Sequence, residues 1–263
     1  MQFVLFASSG LGFIFLMTTL GAATVFLFKK ASLGGAQQIC LGFAAGVMIA
    51  ASVWSLLLPA IEASEEMGIP GWIPAAGGFI LGVLFLLWLD KIIPHLHPFT
   101  NFVEGPTSKS KRTTLLIAAV TLHNIPEGMA VGLAFALGAQ NGGTMADYAP
   151  AIALALGIGI QNFPEGAAIS LPLKQEGVSS RKSFFLGTMS GIVEPIFGFF
   201  AILLAMWITP LMPWLLAFAA GAMIYVVVEE LIPEANLNEH SHLGTLGVIA
   251  GFVVMMILDV ALG

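Results

Sequence analysis

Three glutamates lie deep inside long apolar runs, and two of them belong to copies of one short motif. Glu127 is part of His123-Asn124-Ile125-Pro126-Glu127-Gly128, and Glu165 is part of Gln161-Asn162-Phe163-Pro164-Glu165-Gly166. The shared pattern is x-N-x-P-E-G. Glu194, followed by Pro195, is the third. An ionised carboxylate at mid-bilayer costs about 2.5–3.5 kcal/mol on insertion scales. No Lys or Arg occurs between residues 113 and 173 or beyond residue 182, so no basic partner is near in sequence. These carboxylates must face water, hold protons or bind a cation.

The spacing favours the cation. Residues three and four apart share a helix face. His123 and Asn124 therefore stand beside Glu127, and Gln161 and Asn162 beside Glu165. Pro126 and Pro164 each delete a backbone hydrogen bond next to these groups and open the helix there. Irregular backbone at membrane depth is tolerated only beside a cavity or buried protein. Paired interruptions in a repeat are the usual pointer to a transport site. Carboxylate, imidazole and amide together suit borderline divalent metals such as Zn²⁺, Fe²⁺, Mn²⁺ or Cd²⁺. A site without thiolates also suits release.

The elements that must position these groups follow from composition. Of 263 residues, 58% are apolar and 9% charged, against about 25% charged in soluble domains. The mean hydropathy is +0.96. A soluble globule and a disordered chain are both excluded. Runs of about 20 apolar residues indicate helices rather than the short alternating strands of a barrel. We expect an all-α membrane protein, a single domain over 1–263 with eight spans. They run over about 3–28, 35–61, 71–93, 114–138, 149–172, 183–208, 212–233 and 244–262. The first run has no basic leader before it, so it reads as a span and not a cleaved signal. Cys40 is the one cysteine, which excludes an internal disulfide or thiolate metal site. The net charge of −6 leaves no basic patch for nucleic acid.

Basic residues cluster after odd-numbered spans: Lys29 and Lys30, then Lys91 to Arg112, then Lys174, Arg181 and Lys182. The positive-inside rule puts those loops in the cytoplasm and both termini outside. Compact loops suggest a bacterial inner membrane. Residues 94–113, with Pro94, Pro98, Gly105 and Pro106, read as a flexible cytoplasmic loop. Repeated small-xxx-small pairs, such as Gly42/Gly46 and Gly78/Gly82, read as close helix contacts. Asp90, Glu229 and Glu230 near span ends, with loop residues His95 and His97, are candidates for an exit path.

At these motifs the sequence resembles the ZIP family of divalent-metal transporters, in particular its GufA-like branch. The segments Ala44-Ala45-Gly46-Val47-Met48 and Gly191-Ile192-Val193-Glu194-Pro195 resemble it too. The resemblance implies a two-metal site between spans 4 and 5. One ion would lie near His123, Glu127, Gln161 and Glu165, with Met48 nearby. The second would lie near Asn124, Asn162 and Glu194, with Glu127 and Glu165 bridging. It further implies metal movement into the cytoplasm, a helix bundle sliding on a scaffold, and a homodimer in the lipid bilayer. The metal is cargo, and no cofactor is expected. Two residues depart from the family pattern: Asn162 stands where some relatives have Asp, and Glu229 where relatives often have His.

The competing reading is an intramembrane metal-dependent hydrolase, in which the metal activates water. No HExxH motif is present, and a duplicated motif fits a pathway better than one reaction centre.

Overall fold

Prolines and glycines decide where these apolar helices break and where they touch. The computed structural model describes residues 2–27, 34–92, 95–96, 103–104, 112–175, 177–235 and 241–262. Helix α1 is Gln2–Ala23, extended by a 3₁₀ turn. Helix α2 (Gly34–Ala51) continues through a π-helical segment, Ser52–Leu57, into α3 (Leu58–Glu66). Then come α4 (Trp72–Ile92), α5 (Arg112–Gln140) and α6 (Ala149–Gln175). Helices α7 (Ser180–Ser190) and α8 (Val193–Trp207) form one broken rod. Helix α9 (Met212–Val226) continues through a second π-helical segment, Val227–Leu231, into α10 (Ile232–Ala235). Helix α11 is Leu243–Leu262.

Seven of these rods are long and apolar enough to cross a bilayer among the described residues. Helix α5 is not among the seven. It has 29 residues, about 43 Å at 1.5 Å per residue. Inside the expected flexible loop, His95–Leu96 pairs antiparallel with Val103–Glu104.

Each π segment has a proline behind it. Pro59 cannot donate to the carbonyl of Ser55, nor Pro233 to that of Glu229, and the widened turn absorbs the mismatch. Gly191 and Ile192 separate α7 from α8 for a related reason. Pro195 has no N–H for the Gly191 carbonyl, which accepts from the Glu194 N–H at 3.1 Å instead.

The rods pack as four parallel pairs: α1 with α6, α2 with α11, α4 with α9, and α5 with α8. Glycines let the backbones meet. A Cβ at Gly46 would strike the Val248 carbonyl, and one at Gly82 the Phe218 carbonyl. Number the rods one to eight along the chain. Exchanging one with six, two with seven, three with eight and four with five leaves this set of pairs unchanged. Each exchange swaps an odd rod for an even one, so the repeat is inverted. Its traces are readable in the sequence. Phe43-Ala44-Ala45-Gly46-Val47-Met48-Ile49 matches Phe218-Ala219-Ala220-Gly221-Ala222-Met223-Ile224, each three residues or fewer before its π segment. Gly78, Gly82 and Leu89-Asp90 match Gly247, Gly251 and Leu258-Asp259 in spacing.

The pairs assemble into two halves. Helices α1, α5, α6 and α7–α8 contact one another, as do α2–α3, α4, α9–α10 and α11. The halves meet chiefly where α2 and α11 lie on α6 and where α9 lies on α5. Within the second half, the Ser55 hydroxyl donates to Asp259 Oδ1 at 2.6 Å, tying α11 to the π segment.

Gly46→Ala should lower the stability of the purified protein by about 1–3 kcal/mol through overpacking. Gly12→Ala, at a position with open space around it, should leave it unchanged. Thermal unfolding in detergent compares the two directly.

Candidate metal site

The site lies wholly within the first half. Helix α5 supplies Asn124 and Glu127, α6 supplies Gln161, Asn162 and Glu165, and the first turn of α8 supplies Glu194. All are buried except Glu165, which is half-buried. The motif glycines bring these helices together. A Cβ at Gly128 would run into the backbone of Glu194, and one at Gly166 into the carbonyl of Thr18. The last residue of each x-N-x-P-E-G copy is thus a docking point for another helix of the site. Glu194 also sits where the α8 dipole is positive, which favours its charge.

Neutral groups hold the carboxylates. Gln161 Nε2 donates to Glu127 Oε1 at 2.6 Å. Asn162 Nδ2 donates to Glu194 Oε2 at 2.9 Å, and the Thr18 hydroxyl donates to Glu194 Oε1 at 3.3 Å. Asn124 Nδ2 donates to the Ser190 carbonyl at 3.1 Å. Every amide nitrogen is therefore used, and the amide oxygens are left over. Asn124 Oδ1, Gln161 Oε1, Asn162 Oδ1 and Glu127 Oε2 are buried with no hydrogen-bond partner among the described residues. Leaving such a group unsatisfied costs about 1–3 kcal/mol. Four such acceptors stand beside three mutually interacting carboxyls. Their repulsion is offset either by protons or by a bound cation.

The placement of the other sequence candidates is mixed. His123 lies on α5 one residue before Asn124, with its side chain outside the described residues. Excluding that imidazole, no three His, Cys, Asp or Glu groups close on a common point among the described residues. Met48 is buried in the main apolar core on α2, in the other half. Asp90 and Glu230 are both buried, at the end of α4 and in the second π segment, whereas Glu229 is exposed. His95 pairs through its backbone with Glu104; its side chain, and all of His97, lie outside the described residues.

Sequence reasoning missed Thr18. Its neighbour Thr19 bonds back to the Phe15 carbonyl at 2.9 Å, the ordinary habit of a hydroxyl in an apolar helix. Nothing in the residue types separates the two. The signal lies only in the packing of α1 on α6.

The fold defines a polytopic helical membrane protein built on an inverted repeat, with a buried cluster of carboxyl and amide side chains between its helices. The ZIP zinc transporter family model matches residues 103–259. Similar proteins include zinc transporter ZIP11 of Homo sapiens, 38% identical over 94% of each chain. Zinc transporter GufA of Myxococcus xanthus is 37% identical, again over 94% of each. Zinc transporter ZIPB of Bordetella bronchiseptica is 38% identical over 95% of this chain and 79% of its own. The chain belongs to the ZIP family.

Replacing Glu127 by Gln keeps the shape but removes charge beside the orphaned oxygens. Zn²⁺ affinity of the purified protein should fall at least about tenfold, a lower bound for losing one charged ligand. Asp147→Asn serves as the control. Asp147 lies in an exposed turn, where bonds from the Thr144 hydroxyl and N–H hold its carboxyl below the usual range. It should bind Zn²⁺ like the wild type in the same titration.

Proposed function

We propose that this protein carries divalent transition-metal ions, zinc foremost, across a membrane and into the cytoplasm through the site between α5 and α6. The observation that carries the reading is the set of four buried, unpartnered oxygens around three carboxylates. The ion is cargo and not a cofactor. A first ion is held by His123, Glu127, Gln161 and Glu165, and Met48 approaches it from the other half. A second is held by Asn124, Asn162 and Glu194, with Glu127 and Glu165 shared. Cd²⁺, Fe²⁺ and Mn²⁺ fit the same ligand types. Asp90, Glu229 and Glu230, with His95 and His97, line the way out.

The wider arrangement follows the same reading. The helix α5 is the remaining span of eight, the termini lie outside, the protein is a homodimer, and the membrane is a bacterial inner one. The inverted repeat supports alternating access, in which the half that carries the site slides against the other. Metal ligands must be deprotonated, so protons leave the site as the metal enters. The hydrolase reading gains nothing from the geometry. The site groups are tied to one another across helices, and relatives over nearly the whole chain are named as zinc transporters.

Purified protein in liposomes with a metal-sensitive dye inside tests this. Saturable Zn²⁺ and Cd²⁺ entry is expected, falling more than about tenfold in Glu165→Ala, as expected for loss of a charged ligand. Tight Zn²⁺ binding with no flux under any orientation or pH gradient would overturn the transporter reading.

A further inference from the structure

Thr18 stands outside the ligand set and touches it at one point. We propose that Thr18 is a positioning residue of the site: its hydroxyl holds Glu194 toward Glu127 and Glu165. The inference rests on the transport reading above.

Its side chain is fully buried in α1. The hydroxyl lies 3.3 Å from Glu194 Oε1 and equally 3.3 Å from the carbonyl of Ile14, one turn back. Asn162 Nδ2 reaches the same two groups, Glu194 Oε2 at 2.9 Å and the Ile14 carbonyl at 3.4 Å. Two donors thus share two acceptors in a closed ring across α1, α6 and α8. Asn162 has two hydrogens and serves both acceptors. The Thr18 hydroxyl has one, for which the carboxylate and the carbonyl compete. An ionised acceptor makes the stronger bond, so the hydroxyl goes to Glu194 once that carboxyl has lost its proton. The Ile14 carbonyl, one turn back, remains as its alternative acceptor.

The notch around Thr18 is built for this. A Cβ at Gly191 would sit 2.9–3.2 Å from Thr18 Cγ2, Cβ and Oγ1, and one at Gly166 would strike its carbonyl. Both glycines are needed to bring α1 that close. The ring also joins helices of different pairs, since Glu194 belongs to the α5–α8 pair and Thr18 and Asn162 to the α1–α6 pair.

The test uses the full-length protein in liposomes and in detergent. Thr18→Val keeps the shape and removes the donor; Thr18→Ser keeps the donor. Thr18→Val should raise the KM for Zn²⁺ about three- to tenfold, the weight of one ordinary hydrogen bond, since the hydroxyl is shared with the Ile14 carbonyl, with the maximal rate within about twofold. Thr18→Ser should restore the wild-type KM. In a Glu194→Gln background, Thr18→Val should add nothing, because its partner charge is gone. The inference is overturned if Thr18→Val matches wild type, if Thr18→Ser is equally impaired, or if the effect persists without Glu194. Equilibrium Zn²⁺ binding in detergent runs in parallel. Wild type that binds without transporting overturns the transport reading alone, and the Thr18 comparison is then read from affinity.

Discussion

The structure depends on one constraint: three carboxyls must be kept inside a bilayer by a chain with no Lys or Arg between residues 113 and 173 or beyond residue 182. A salt bridge would neutralise them but would also occupy them. This chain uses neutral donors instead. An amide from α6 binds Glu127, another amide and a hydroxyl bind Glu194, and a helix N-terminus lies under Glu194. Each donor satisfies a lone pair without cancelling charge, so the attraction for a cation remains. The backbone obeys the same demand. Pro126, Pro164 and Pro195 loosen the helices beside the acids, and Gly128 and Gly166 draw in the neighbours that carry the donors.

The two halves are joined differently from the pairs inside them. Within a pair, glycines such as Gly46, Gly82 and Gly128 meet backbone of the partner helix, while Gly35, Gly77 and Gly159 meet its side chains. Across the boundary, Gly157 of α6 faces the Met255 sulfur and the Val47 side chain. Among the glycines described, it is the one that meets the opposite half, and it meets only side chains. The interhelical hydrogen bonds described above also stay within one half. Thioether and methyl surfaces can slide without breaking directional bonds, whereas a locked pair cannot. The packing across this boundary resists sliding least, and the described cluster of carboxyls and amides lies wholly on one side of it.

How much of this was legible in the sequence depended on cost. Glu127, Glu165 and Glu194 stood out because a buried acid is expensive and needs a reason. Their amide neighbours were named from helical spacing; the structure gives Gln161 and Asn162 acids on other helices as partners, while Asn124 bonds the Ser190 carbonyl. Thr18 was invisible, since a hydroxyl in a span is cheap and usually satisfied by its own helix. The pairing of rods was equally hidden. Gly46 announces a close contact but does not say with which helix, and α11 is the answer only in three dimensions. The repeat of Phe43–Ile49 in Phe218–Ile224 is plain in the letters. It implied no chemistry because apolar residues in lipid carry no penalty to explain. Residues 94–113 read as a loop from their prolines and glycine, and among the described residues a two-residue antiparallel pairing sits inside it.

A site for cargo must survive emptying. When an ion leaves, the carboxylates lose their compensating charge, and an unbraced cavity would rearrange to recover it. The bonds to Glu127 and Glu194 come from the protein's own amides and a hydroxyl, and one Glu127 oxygen and three amide oxygens have no partner among the described residues. Bracing of this kind lowers the ordering penalty of a binding event. The amide oxygens are weak ligands, and their number limits how tightly the ion is held. Strong acids braced by weak neutral groups meet both demands at once, assembly without cargo and release of it.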